Sequence, residues 1–235
     1  MAKQYKGNII NSVKKRSIGL ILRAILFEII LITLGVFLVL KKQYIYAVIP
    51  ALVATILFFY YKKKYRILKA GFRGEEAAAK ILKDLSKKYS VISDVVIEHK
   101  DRVAQIDNII LSPSCVFVLE VKNYSGTLNG SINSRELIQV KQTRKGREEK
   151  QVYNPFMQAK THAVVLRGLL KDNGIDVPVD YGVFFVRENF RINFNTGVEN
   201  VFFYDNCKEK LSEKLNNRNH VKYKQRDVIK LIKNN

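Results

Sequence analysis

Three charged residues stand inside otherwise apolar runs. In AQIDNIILSPSCVFVLEVKNYSG, residues 104–126, Asp107 interrupts the first run, and Glu120 and Lys122 interrupt the second. Side chains alternate along a strand, so Glu120 and Lys122 share a face while Val121 points away. Ser112-Pro113-Ser114 is turn chemistry between the two runs. A hairpin centred between Pro113 and Ser114 sets Asp107 across from Glu120. Facing carboxylates repel unless positive charge stands between them. Two arrangements supply that charge. One is a buried ion pair with Lys122. The other is a cation site: two hard oxygen ligands suit Mg²⁺ or Mn²⁺, which keep waters and accept phosphate oxygens. A neighbouring lysine would then orient the nucleophile or stabilise charge in phosphodiester hydrolysis.

The flanking elements must hold these residues in place. GEEAAAKILKDLSKK, residues 74–88, predicts a helix that is acidic at its start and basic at its end, as the helix dipole favours. YSVISDVVIE, residues 89–98, predicts a strand, and the hairpin strands are expected over 103–111 and 115–122. Residues 135–151 form a polar, basic hairpin. Asn154-Pro155 opens a helix over 155–170 as cap and first position. Strands at 179–186 and 198–204 precede helices at 207–216 and 226–233. This order predicts an α/β domain around a central mixed sheet flanked by helices. Residues 62–69 read as a basic linker ahead of it.

Charge narrows the partners. Lys and Arg number 41 against 21 Asp and Glu, a net +20, which suggests a polyanion: nucleic acid or an anionic membrane surface. Residues 1–70 hold 13 basic residues and one acid, Glu28; the remainder holds 28 against 20. Within that remainder Lys141, Arg144, Lys145, Arg147 and Lys150 form a run suited to phosphate contact. Apolar residues make up 47 %, enough for a real core, and the two cysteines, Cys115 and Cys207, lack metal-type spacing.

The separated pieces GFRGEEAAAKIL, AQIDNIILSP, VFVLEVKNYSG and NPFMQAKTHAVVL, in this order, resemble the nuclease-related domain, NERD, of the PD-(D/E)XK nuclease-like superfamily. The resemblance is strongest over 71–170, within a domain expected over 65–235. It implies a restriction-endonuclease-like core and a divalent-metal-dependent nuclease acting on DNA, with RNA as a second possible substrate. It matches Glu75 to the glutamate of the first helix, Asp107, Glu120 and Lys122 to the D…ExK core, and Gln158 to a glutamine on the following helix. Asp107 and Glu120 would hold Mg²⁺ or Mn²⁺. One departure is the absence of Trp, since an aromatic residue, often Trp, is expected after the KNYSG turn. A non-catalytic module that binds nucleic acid or protein is the alternative.

Ahead of the domain, residues 1–64 read as a membrane anchor. Ile18–Leu40 is interrupted only by Arg23 and Glu28 within its apolar run, and Tyr44–Tyr61 carries no charge. Each approaches the ~20 residues a helix needs to cross a ~30 Å hydrocarbon core. Lys41-Lys42-Gln43 between them predicts a tight transmembrane hairpin. Basic residues outside it, Lys14 to Arg16 and Lys62 to Arg66, predict a multi-pass protein of the cell membrane with both termini cytoplasmic.

If phosphates dominate recognition, DNA affinity of the protein should fall by ~10³ or more between 50 and 200 mM salt. A filter-binding titration that shows an affinity indifferent to salt would point to another partner.

Overall fold

The computed structural model describes residues 1–6, 10–42, 44–144, 146–194, 200–216 and 221–235. The chain divides into two units, one of Met1–Ile9 with Arg73–Asn235 and one of Ile10–Phe72.

The smaller unit is helical. Helix α1 (Ile10–Leu40) is followed by α2 (Tyr44–Lys83), whose last turns belong to the larger unit. Lys42 reverses the chain between them with φ of 57°. Within α1, Ile21–Leu40 has a mean hydropathy of 2.4 and is only 6 % buried, which makes it unlike the core helix of a soluble domain. The Thr33 and Thr55 hydroxyls donate back to the carbonyls of Ile29 and Ala51, both at 2.8 Å, so neither needs an outside partner.

Ile21–Leu40 is the single stretch among the described residues long and apolar enough to cross a membrane. The expectation of two spans is therefore supported for the first span and not for the second. The apolar residues of α2 end at Tyr61, and the helix continues through Lys62, Lys63 and Lys64. The basic linker expected over 62–69 is likewise helical. Its Lys, Arg and Leu residues are good helix formers, and the segment holds no Gly or Pro to stop propagation.

In the larger unit, strand β1 (Lys3–Lys6) precedes β2 (Ser90–His99), β3 (Arg102–Leu111) and β4 (Val116–Lys122). Then come β5 (Thr127–Asn129), β6 (Glu136–Thr143), β7 (Gly146–Tyr153), α3 (Pro155–Asp172), β8 (Val179–Phe185), β9 (Arg191–Asn193) and β10 (Val201–Phe203). Helices α4 (Cys207–Asn216) and α5 (Gln225–Asn234) close the chain. The main sheet has the order β1-β2-β3-β4-β8-β10, and β7-β6-β5-β9 form a second sheet. The main sheet is mixed: β2, β3 and β4 are antiparallel neighbours, while β1, β8 and β10 join in parallel. Residues 198 and 199 of the expected strand 198–204 lie outside the described residues.

Alternation along β4 sorts the two faces. Val116 and Val118 pack under Ala163 and Leu166 of α3, joined there by Val228 and Ile232 of α5. Phe117 and Leu119 meet Ala78 and Leu82 of α2 and Leu211 and Leu215 of α4 on the other side. The sheet is thus sandwiched between helices, and residues 120 and 122 must follow 116 and 118 onto the α3 face. Asn154 caps α3, accepting from the Phe156 amide at 2.9 Å, with Pro155 in the first turn.

Gly182 in β8 is a tight point. A Cβ there would lie 2.7 Å from the Asn200 carbonyl oxygen and 3.0 Å from the Phe117 ring. Gly182→Ala should therefore cost about 1–3 kcal/mol through overpacking, read as a lower urea midpoint with an unchanged slope.

Candidate active site

The site lies where β3 and β4 part. Their ladder runs from Leu111↔Val116 to Asn108↔Leu119 and stops. One step further, the Asp107 carboxylate accepts the Val121 amide at 2.8 Å, in place of a strand partner. The β2–β3 ladder is also interrupted here, passing from Ser93↔Asn108 to Val95↔Ile106. Asp94, at the gap, has φ of 55°, left-handed backbone that Asp tolerates better than most residues. The inward faces shift with it. Ile92 and Val95, three residues apart, enter the same core, as do Ile106 and Ile109. Asp94 and Asp107 thus sit at a shared kink in two neighbouring strands.

Glu120 is 1 % exposed, so its charge must be compensated locally. Lys122 donates to its Oε1 at 2.6 Å and to Gln158 Oε1 at 2.9 Å. Gln158 and His162 are four residues apart on α3 and share a helix face. His162 Nδ1 stands 3.3 Å from Glu120 Oε2, and both atoms are buried without a hydrogen-bond partner. Glu75 enters from α2, where Gly74 permits close approach; a Cβ on Gly74 would be 3.0 Å from that of Asn123, just past the end of β4.

Electrostatics marks the cluster. Burial, and then the Glu120 charge, push the Asp107 carboxyl up to about 8 despite the Val121 amide and Lys122. Desolvation followed by Asp94 raises Glu75, and burial raises Asp94. Burial lowers the Lys122 ammonium, but Glu120 and Asp107 outweigh it and hold the group above its ordinary value. Burial also raises the Tyr124 phenol, opposed by Lys122.

The structure therefore brings Asp107, Glu120, Lys122 and Gln158 together, with Glu75 within electrostatic reach of Asp107. The basic run lies apart from them, on the β6–β7 hairpin. Lys141 there is half-buried, while Arg144, Arg147 and Lys150 are exposed. Arg147 is paired with Glu149 at 2.7 Å, and Lys145 lies outside the described residues. Among the described residues, no three of His, Cys, Asp and Glu form a ready metal-binding group. A cation could be held by Asp107 and Glu120 with water completing its shell. The buried Glu120 Oε2 without a hydrogen-bond partner and the mutual repulsion of the two carboxylates fit such a group.

The sequence alone assigned no role to Asp94, Tyr124 or His162. The signal for Asp94 was an acid inside the β-branched run VISDVVI. For Tyr124 it was an aromatic two residues past Lys122, and for His162 the four-residue step from Gln158.

A family model, the nuclease-related domain (NERD), matches residues 70–186. The chain belongs to the nuclease-related domain family through that segment. No curated protein matches the chain, and no solved structure does.

Because the folded Asp107 carboxyl holds its proton far above the ordinary aspartate range, its contribution to stability is full below that range. That contribution is lost as pH rises through about 8. Asp107→Asn keeps an acceptor for the Val121 amide and cannot ionise. In metal-free buffer it should remove this component of the alkaline decline and melt above the parent beyond pH 8. Parallel thermal melts between pH 4 and 9 check this.

Proposed function

We propose that this protein is a membrane-anchored, divalent-metal-dependent nuclease that hydrolyses phosphodiester bonds in DNA. The observation that carries this reading is the convergence of Asp107, Glu120, Lys122 and Gln158 at the parting of β3 and β4, inside the segment that matches the nuclease-related domain.

Asp107 and Glu120 would hold Mg²⁺ or Mn²⁺, which supplies positive charge to phosphate oxygens. Lys122 carries a charge that its neighbours keep protonated, and it can stabilise negative charge as it develops on the phosphoryl group. Gln158 fixes the lysine from the helix side. Glu75, exposed at the edge of the cluster, can order water or a further polar contact. Lys141, Arg144 and Lys150 offer sequence-independent contacts to the phosphates of DNA, and RNA offers the same groups. Ile21–Leu40 supports membrane anchorage by length and apolarity.

A second reading has its own observation. Lys122 already closes on Glu120 and Gln158, and no three-ligand group is preformed among the described residues, which suits a binding module without catalysis.

Thermal melts and nuclease assays with and without Mg²⁺ or Mn²⁺ separate the two. Asp107→Ala and Glu120→Ala should each abolish the metal-induced melting shift and all cleavage. Lys122→Ala should keep the shift while activity falls by about 10²-fold. A parent without any metal shift, destabilised equally by Lys122→Ala in either buffer, would leave the binding module standing.

A further inference from the structure

We propose that the helical hairpin of α1 and α2 enters the bilayer from one side and returns to that side. The anchor is then an insertion within the domain's chain, and not a leader ahead of it. The inference rests on the membrane reading above and adds the topology.

It is carried by strand β1. Lys3–Lys6 pair in parallel with Ser90–Ser93 along the outer edge of β2. The Ala2 amide donates to the Lys83 carbonyl at 3.2 Å, and the Lys3 amide to that of Tyr89 at 3.1 Å. Ala2 is buried in the core cluster that contains Ala78, Leu82 and Val91, whereas Tyr5 packs against the cluster on the opposite face. The Lys233 ammonium lies 5.2 Å over the Tyr5 ring. The residues before α1 are thus tied into both faces of the sheet formed by residues after α2.

A chain that leaves a sheet and rejoins it crosses any intervening bilayer an even number of times. With α1 as the sole crossing, Lys3 and Ser90 would be separated by ~30 Å of hydrocarbon and could not pair. Removal of α1 as a signal sequence would take β1 with it. The return leg is α2. Its Val48, Ile49, Leu52, Ile56 and Phe59 are exposed. Where its apolar run ends, the Lys62 and Lys64 ammonium groups lie over the Phe58 and Tyr60 rings at 5.4 and 5.9 Å. Long cationic side chains in this position reach for the interface and lengthen a short apolar run. Pro50, the one helix breaker, is tolerated in lipid where neighbouring groups satisfy the backbone.

The full chain in sealed membrane vesicles tests this, with a tag ahead of Met1 and another after Asn235. Both tags should be digested by protease from the same face. A single new thiol, Lys42→Cys, should react with a membrane-impermeant maleimide only from the opposite face. The native Cys115 and Cys207 are buried and leave the background low. In an untagged chain, Lys6→Cys with Ser93→Cys, partners in the register, should cross-link on oxidation. Tags on opposite faces, loss of the first residues from the mature chain, or Lys42→Cys labelled from the tags' own face would each overturn the topology. Release of the chain by an alkaline carbonate wash would instead overturn the membrane reading on which it rests.

Discussion

The site is organised by one carboxylate that water cannot reach. Glu120 lies at the end of the buried run Val116–Leu119, in a strand covered by helices on both faces. An isolated charge there would be prohibitively costly. Its compensation is local: Lys122, two residues on and on the same face, donates at 2.6 Å. That pair in turn requires α3 at the correct rotation, with Gln158 on the lysine and His162 beside the second carboxylate oxygen. The cap at Asn154 and the start at Pro155 set where that helix begins, and so which residues face the strand.

A second constraint comes from Asp107. Extending the β3–β4 ladder would pair it with Glu120, but its side chain accepts the Val121 amide instead, and the ladder ends. The matching break opposite Asp94 lets both strands shift their inward faces by one residue without leaving the sheet. The left-handed backbone of Asp94 is part of that arrangement. Strain at such a position persists only where the surrounding structure over-determines it, and here β2 is hydrogen-bonded to β1 on one side and to β3 on the other.

The hairpin register that brings Asp107 beside Glu120 was legible in the sequence because a short turn and period-2 alternation leave little freedom: Asn108↔Leu119 is the register that the Pro113-Ser114 centre implies; that the ladder ends there was not. The α3 cap was legible for similarly local reasons. The first strand was not. Lys3–Lys6 is short and polar and separated from β2 by more than 80 residues, so no local periodicity announces it. The three-residue strands β5 and β9 fail for the same reason, because their pairing is a tertiary fact. The continuous α2 was missed because the change from apolar to basic composition at Lys62 reads as a boundary, although the backbone propensity does not change there. His162 needed three dimensions: a lone histidine on an amphipathic helix carries no sign of what it faces.

The charge balance of the cluster bears on the choice between ion pair and metal site. Glu75, Asp94, Asp107 and Glu120 influence one another, directly or through a neighbour, and the cation among these coupled groups is Lys122. Were the function of Lys122 only to neutralise Glu120, Asp107 would gain nothing from ionising. The protein alone answers this with a proton, which is why that carboxyl is held up to about 8. A proton and a divalent cation are competing solutions to the same repulsion, and they differ in consequence. A protonated Asp107 would leave Lys122 as the main positive group of the cluster, whereas a divalent ion held there would take the place of the proton and supply further positive charge. Raised carboxylates beside a retained ammonium, at a strand end with the sheet ladder opened, are more than a simple ion pair requires.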